Sequence, residues 1–245
     1  MASIIAHPGR GFRLSLRAMG RWLLSRVGCD CPLCGARVAG ARLCAGCEAD
    51  ICEAPPRCPR CALRLRLDAP HCAACLGAPR AFSRTLAAFD YAPPADTLIL
   101  TLKTRLRLSM APVLARLIAA AVARGGPLPD GALLVAIPAS RASLRQRGMN
   151  PAGEIARSLA AELGLPLARG LLRRRRETPR QTAQGRHARR RGAQNLFYCV
   201  GDLRGRPLLL VDDVMTTGST ANAAAAALLA AGAADVTVLV AARTP

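Results

Sequence analysis

Four cysteine pairs near the start of the chain limit what this region can fold into. Within each pair two residues separate the cysteines, and nine or ten residues separate one pair from the next. Two such pairs supply the four thiolates that bind Zn²⁺ in a closed tetrahedral site. The spacing therefore predicts two structural zinc ions, and their expected ligands are Cys31, Cys34, Cys44, Cys47, Cys58, Cys61, Cys72 and Cys75.

The grouping of these cysteines has alternatives. Sequential grouping gives a double zinc ribbon, but the spacing also permits crossed pairs. The main alternative to metal is a disulfide framework, which rarely persists in a reducing compartment. We expect a cytoplasmic protein, because no cleavable signal peptide opens the chain and no apolar stretch is long enough to span a membrane.

Residues 1–28 combine apolar residues at helical spacing with five arginines and no acidic residue. This pattern predicts a basic helix. Three roles fit it: an organellar transit peptide, a helix on a membrane surface, or a helix that docks on the rest of the protein. We favour the last.

From about residue 82 onward, strand and helix patterns alternate. This order predicts an α/β domain with a mostly parallel sheet and helices on both faces. The expected strands are 85–91, 132–137, 196–200, 208–211 and 236–240, and the expected helices are 95–103, 111–123, 152–163 and 219–231. We therefore divide the chain into a basic extension (1–28), a double zinc ribbon (29–80) and an α/β domain (81–245).

Two acids and a hydroxyl-rich loop follow the predicted strand 208–211, at the sheet edge where α/β proteins bind ligands. Paired carboxylates can accept hydrogen bonds from the vicinal hydroxyls of a ribose. Backbone N–H groups and hydroxyls at a helix N-terminus form a phosphate site, and a glycine permits close approach. The segment thus fits ribose 5-phosphate, and the expected contacts are Asp212, Asp213, Thr216, Thr217, Gly218, Ser219 and Thr220.

Two simpler interpretations of this segment are a strand–turn–helix with ordinary hydroxyl caps and an aspartyl phosphate-acceptor site. The first leaves the paired acids unexplained. The second lacks a lysine at the end of a later strand.

The charge of the chain is concentrated. Its 35 basic and 15 acidic residues give a net charge of +20, and residues 141–191 account for +11 of it. That concentration predicts an anion-binding surface. Lys103 is the only lysine. Since lysine and arginine are not interchangeable where a compact ammonium is required, Lys103 marks either such a position or a leftover on a solvated helix face.

The paired acids and hydroxyl-rich loop of residues 211–220 resemble the 5-phosphoribosyl-1-pyrophosphate (PRPP) signature of type I phosphoribosyltransferases. The chain from Cys31 onward resembles the ComF family, the competence-associated branch with an N-terminal double zinc ribbon. Besides that signature and the cysteine pairs, the resemblance is carried by Phe89, Tyr91, Leu98, Ile99, Lys103, Ile137, Pro138, Ser140, Arg145, Arg147, Gly148, Asn150, Arg173, Thr178, Gln181, Arg190 and Asn195.

The resemblance implies a type I phosphoribosyltransferase fold, with PRPP as ligand and Mg²⁺ arriving largely on its pyrophosphate. It implies that Pro138, Ala139 and Ser140 contact the pyrophosphate and that a flexible loop, about 174–195, closes over the substrate. Asp212 and Asp213 would hold the ribose ring. The expected cationic clamps on the pyrophosphate are Lys103, Arg145, Arg147 and Arg190.

The chain departs from the pattern of the families that it resembles at two places. Met149 and Pro151 replace the Phe and Gln of the family's Arg-Gly-Phe-Asn-Gln run. Purine-salvage relatives place an aspartate near the purine where this chain has Thr216, which argues against hypoxanthine or guanine as the acceptor.

Three functions remain at this point. The first is an enzyme that displaces pyrophosphate from ribose C1 toward an unassigned acceptor. The second is a non-catalytic competence protein that binds single-stranded DNA and uses PRPP only as a ligand, and the third is a regulator that senses PRPP. Because residues 141–191 contain no aromatic residue for base stacking, any DNA binding there should be driven by the phosphate backbone and weaken steeply with salt.

Overall fold

The computed structural model describes residues 20, 23, 26–53, 55–65, 69–175 and 196–245. The strands in these ranges are β1 (Gly28–Asp30), β2 (Arg37–Ala39), β3 (Arg84–Asp90), β4 (Leu133–Ala136), β5 (Leu172–Arg174), β6 (Phe197–Cys199), β7 (Pro207–Met215) and β8 (Asp235–Arg243). The helices are α1 (Ala45–Ile51), α2 (Ala73–Gly77), α3 (Asp96–Thr104), α4 (Met110–Arg124), α5 (Arg141–Arg147), α6 (Pro151–Leu163) and α7 (Ser219–Ala230).

A four-stranded parallel sheet forms the centre of the protein, in the order β3–β8–β7–β4. The two inner strands are apolar along nearly their whole length and almost entirely buried. Such continuous apolar runs are typical of parallel strands covered on both faces. The remaining strands form two small antiparallel pairs, β1 with β2 and β5 with β6.

Helices cover both faces of the sheet. On one face α4 and α6 pack together, and their apolar stripes include Leu114, Ile118, Ile155 and Leu159, none of which is exposed. On the other face lies α7, whose buried residues are alanines and Leu228. Small side chains let this helix approach the sheet closely, so both faces of the sheet belong to packed cores.

The first cysteine ribbon consists of the β1–β2 hairpin and α1. Cys31 and Leu43, each 2% exposed, belong to the same apolar cluster as α4. The Arg116 guanidinium on α4 donates to the Ala41 carbonyl at 3.2 Å. This ribbon is therefore attached mainly by apolar packing against a helix.

The second cysteine ribbon covers the free edge of β3. The N–H of Thr85 donates to the Pro59 carbonyl at 3.4 Å, and its hydroxyl donates to the Arg60 carbonyl at 2.8 Å. At the end of the strand, Asp90 accepts from Arg57 at 2.6 Å and from Arg64. An uncovered edge strand invites pairing with other chains, and here the ribbon occupies it.

The predicted fold class is confirmed: a parallel sheet with helices on both faces follows two cysteine ribbons. The inner strands are longer than expected, because β7 and β8 pair as far as Met215 and Arg243. As a result Asp212 and Asp213 lie within β7 rather than after it. Strand β5 and helix α5 were not predicted, since both are short and rich in arginine.

Two predictions fall largely outside the described residues: the N-terminal basic helix within 1–28 and most of the loop 174–195. Among the described helices, none combines the length and apolar character that a bilayer span requires.

Candidate functional site

The candidate site lies at the carboxyl ends of β4 and β7, where the sheet becomes one strand narrower. Strand β4 stops pairing with β7 at Ala136 and Val211, whereas β8 continues alongside β7 to Met215. Asp212 and Asp213 therefore have a neighbouring strand on one side only. Open α/β sheets bind ligands in such crevices beyond the carboxyl ends of their strands.

Asp213 forms a nearly buried ion pair with the only lysine of the chain. Its side chain is 11% exposed, and its Oδ2 lies 2.9 Å from Lys103 Nζ at the end of α3. Its Oδ1 accepts from the Val214 N–H at 2.7 Å. Both oxygens thus have protein donors, and a compact ammonium, rather than a planar guanidinium, sits at this position.

Asp212 has a different environment from its neighbour. Its Oδ1 accepts from the Asp213 N–H at 2.9 Å, and no described residue donates to its other oxygen. Burial, with the adjacent Asp213 carboxylate, raises the pKa of Asp212 to about 8, although the Asp213 N–H and the Lys103 ammonium oppose this shift. One carboxyl oxygen is therefore available to a ligand, and a ligand hydroxyl that donates to it would favour the ionised form.

The turn after β7 combines a left-handed glycine with exposed hydroxyls. Gly218, at φ 74°, precedes α7, and a Cβ there would contact the Met215 sulfur and the buried Phe82 ring. The hydroxyls of Thr217 and Ser219 lie 2.8 Å apart, and the Ser219 N–H donates to Thr217 Oγ1 at 3.3 Å.

Within the described residues, no acceptor satisfies the N–H groups of Gly218, Thr220 or Ala221. The turn therefore combines free amides and hydroxyls with the positive end of a helix dipole. That combination suits a phosphate group.

The segment predicted to contact pyrophosphate lies beside the acids. The Ile137 N–H donates to the Val211 carbonyl at 2.9 Å, and the Asn150 amide donates to the Ile137 carbonyl at 2.9 Å. These bonds fix the position of Pro138 and Ala139 at the end of β4. Ser140 caps α5 by accepting from the Ser143 N–H at 3.0 Å.

The predicted arginine clamps are only partly described. Arg145 and Arg147 occupy the last turn of α5, and the part of the chain that the structure describes pairs neither with an acid. Arg190 lies outside the described residues, as do Thr178, Gln181 and Asn195. Lys103, predicted as a further clamp, is engaged with Asp213.

The eight paired cysteines form two clusters, each sequential along the chain. In each, the four sulfurs lie within 4.8 Å of one another, and all cysteines are free of disulfides. A tetrahedral Zn²⁺ with Zn–S bonds of about 2.3 Å requires sulfurs about 3.8 Å apart. The pairs Cys34–Cys44 and Cys61–Cys72 lie at 3.5 and 3.4 Å. Both clusters are therefore compatible with structural zinc.

The ionisation of these thiols also fits a bound cation. Burial raises the pKa of Cys31, but the N–H groups of Cys34, Cys44 and Leu33 outweigh it and lower that pKa to about 6. In the second cluster, burial and the Cys61 thiol raise the pKa of Cys75 to about 12. Because a cysteine binds Zn²⁺ as the thiolate, a bound Zn²⁺ would favour the ionised form of Cys75.

Sequence reasoning missed two contacts of the site. The ion pair between Lys103 and Asp213 was not expected, although the rarity of lysine singled out Lys103. Arg243, which binds the carbonyl of Met215 at 3.3 Å, gave no signal, because it is one of 34 arginines.

Comparison with known proteins adds to this geometry. Residues 143–245 match the phosphoribosyl transferase domain family. The chain is 32% identical over 207 residues to "DNA utilization protein YhgH" of Salmonella typhi, covering 82% of this chain and 90% of that protein. The protein of the same name from Escherichia coli K12 is 32% identical over 192 residues, with 76% and 84% covered. "Competence protein F" of Haemophilus influenzae is 29% identical over 191 residues, with 76% and 83% covered.

Proposed function

The chain belongs to the ComF family, to which it is related over most of its length, and from this premise we propose that it binds PRPP and transfers its phosphoribosyl group. One observation carries the proposal. Asp212 on β7 has a carboxyl oxygen without a described donor, and residues 216–220 directly after β7 form a turn suited to phosphate, which we call the phosphate turn. Both lie beyond the point where β4 stops pairing with β7. The two half-sites match the two ends of a ribose 5-phosphate.

The described residues have distinct parts in this proposal. Asp212 accepts hydrogen bonds from the ribose hydroxyls. Asp213 is held by Lys103 and by the Val214 N–H, so it keeps the acidic dipeptide in a single orientation. The 5′-phosphate is bound by Thr216, Thr217, Gly218, Ser219 and Thr220.

In this proposal the segment that follows β4 binds the pyrophosphate end of the ligand. Pro138, Ala139 and Ser140 lie beside the acids, and the positive charges of Arg145, Arg147 and Arg190 complement the leaving group. A dense cationic surface stabilises the charge that develops as pyrophosphate departs. Binding of the pyrophosphate would explain why residues 141–191 carry a net charge of +11.

Mg²⁺ fits this site as a companion of the ligand. Lys103 neutralises Asp213, and burial disfavours the charged form of Asp212. The acids therefore do not offer a protein cage of free carboxylates, and Mg²⁺ usually binds few protein ligands together with substrate phosphates. When bound, it would neutralise charge on the pyrophosphate oxygens.

The proposed reaction breaks the bond between ribose C1 and the pyrophosphate oxygen, and pyrophosphate leaves with the electron pair. A nucleophilic atom of the acceptor forms the new bond to C1 and gives up a proton to solvent. The described residues do not identify the acceptor molecule.

Isothermal titration with PRPP and Mg²⁺ tests the binding step. We expect wild type to bind and the double variant Asp212→Asn/Asp213→Asn to lose at least about tenfold in affinity. Asp130→Asn, an exposed loop substitution, serves as the matched control and should bind as wild type does. Unchanged binding by the double variant would exclude the acids from the site.

A screen for pyrophosphate release across candidate acceptors tests the transfer step. Release that depends on an acceptor supports the enzyme. Binding without release under any acceptor would instead favour a protein that only senses PRPP.

A second function, single-stranded DNA binding, is favoured by the names of the relatives and by the net charge of +20. If it operates through residues 141–191, DNA affinity should fall steeply with salt and show little base preference. Measuring DNA affinity at several salt concentrations, with and without PRPP, separates this role from transfer.

A further inference from the structure

A buried arginine connects the second cysteine cluster to the phosphate turn. Arg243, the last residue of β8, is 6% exposed. Its Nε donates to the Cys61 carbonyl at 2.9 Å, and one terminal nitrogen donates to the Met215 carbonyl at 3.3 Å and to the Thr244 carbonyl at 2.5 Å. No described carboxylate pairs with it.

At one end, Arg243 fixes the first peptide of the turn. The Met215 carbonyl accepts from Arg243, from the Thr244 N–H at 3.0 Å and from the Thr244 hydroxyl at 3.4 Å. Because a trans peptide is planar, its carbonyl and the next N–H point in opposite directions. Holding the Met215 carbonyl therefore sets the direction of the Thr216 N–H, the first amide of the turn.

At the other end, Arg243 contacts the backbone of a cluster cysteine. Cys61 belongs to the second cluster, all four members of which are buried. Four thiolates around one Zn²⁺ carry a formal charge of about −2. A buried guanidinium without a carboxylate partner is costly, and a cluster loaded with zinc would supply the missing negative charge next to Arg243.

We propose that Arg243 is a positioning residue through which the second cysteine cluster holds the phosphate turn in its binding geometry. The inference rests on the proposed function, since it assumes that the turn binds the 5′-phosphate of the ligand. It assigns the second cluster a role in ligand affinity that the first cluster lacks, because no described contact joins the first cluster to the turn.

The test compares two ligands that occupy opposite ends of the site. We expect Arg243→Met to weaken the binding of ribose 5-phosphate by about tenfold, the effect of losing a hydrogen bond from a charged donor. Binding of inorganic pyrophosphate, which the segment beyond β4 would hold, should stay within about twofold. A purely structural role for Arg243 would weaken both ligands alike.

Arg84→Met is the matched control. Arg84 also donates to uncharged groups, the carbonyls of Gly125 and Pro127 and the hydroxyl of Thr237, but at the opposite end of the sheet. It should leave the affinity for both ligands unchanged. Arg243→Lys keeps the charge but cannot span both carbonyls, so it should restore less than half of the lost affinity.

A second measurement does not depend on ligand binding. In a Cys34→Ser background, which leaves the second cluster as the remaining set of four thiols, a colorimetric chelator reports the release of its zinc. Arg243→Met should accelerate this release by about tenfold, since it removes the charged donor next to the cluster.

Several results would overturn the inference. These are equal losses for ribose 5-phosphate and pyrophosphate, full rescue by Arg243→Lys, or zinc release unaffected by Arg243→Met. If wild type binds neither ribose 5-phosphate nor PRPP, the phosphate assignment itself fails and the inference fails with it.

Discussion

The two cysteine ribbons use the same motif at nearly the same spacing, yet they are built into the protein differently. The first cluster is partly exposed at Cys34, Cys44 and Cys47, whereas no cysteine of the second is more than 7% exposed. The first ribbon rests on α4 through apolar packing. The second covers the edge of β3, holds Asp90 and reaches the end of β8 through Arg243.

This difference shows that a metal-binding motif specifies a local turn but not what the turn supports. Contacts outside the motif decide that, and they come from Thr85, Asp90 and Arg243 in the α/β domain. A metal ion bound by the second ribbon would therefore stabilise the sheet itself. A metal ion bound by the first would stabilise chiefly that ribbon.

The largest expected effect comes from breaking one cluster at a time. Cys72→Ser should lower the free energy of unfolding by about 4 kcal/mol or more, because loss of the metal also exposes the edge of β3. Cys34→Ser, at the exposed cysteine of the first cluster, should cost less than half as much. Denaturant unfolding, with zinc content measured on the same samples, checks the comparison, and equal losses would refute it.

The loss of an ion pair should also lower the free energy of unfolding by different amounts in the two ribbons, and the difference should be nearly as large. Asp90→Asn removes the partner of Arg57, whose side chain is 16% exposed, and should cost about 3 kcal/mol because a nearly buried charge loses its pair. Asp30→Asn breaks the exposed pair with Arg37 and should leave stability unchanged within error. Urea unfolding of both variants measures these changes in the free energy of unfolding. If Asp90→Asn costs as little as Asp30→Asn, the second ribbon does not depend on Asp90.

The smallest expected difference concerns single hydrogen bonds between the ribbons and the α/β domain. Thr85→Val removes the bond to the Arg60 carbonyl and should cost about 1 kcal/mol. Arg116→Met removes the bond to the Ala41 carbonyl at the first ribbon and a partly exposed 3.8 Å ion pair with Glu162 that contributes little, and it should cost about the same or less. Thermal unfolding measures both, and a larger loss for Arg116→Met would reverse the ranking of the two ribbons.

Local patterns were enough to predict much of this structure. Apolar runs gave the inner strands β7 and β8, and helical spacing gave α4 and α6, since these features depend on neighbours in the sequence. The spacing of the cysteines predicted the two clusters, whose members lie close along the chain. The placement of Asp212 just before a turn with exposed hydroxyls also followed from one continuous segment.

Contacts between distant segments could not be predicted in this way. Lys103 and Asp213 are far apart in sequence, and only the tertiary packing of α3, whose Leu98, Ile99 and Leu102 are buried in the shared core, brings them together. The same holds for Arg243 and Cys61. Helix α5 has no buried residue, so its sequence lacks the apolar stripe by which a helix is recognised.

The central claim is that Asp212 accepts hydrogen bonds from the ribose hydroxyls of PRPP, and proton release on binding tests it most directly. Since burial and the adjacent Asp213 raise the pKa of Asp212 to about 8, this carboxyl is mostly protonated in the free protein at pH 7. Titration with PRPP and Mg²⁺ in two buffers of different ionisation enthalpy measures the protons released. Wild type should release up to about one proton more than Asp212→Asn, whereas equal release and equal affinity in the two proteins would contradict the claim.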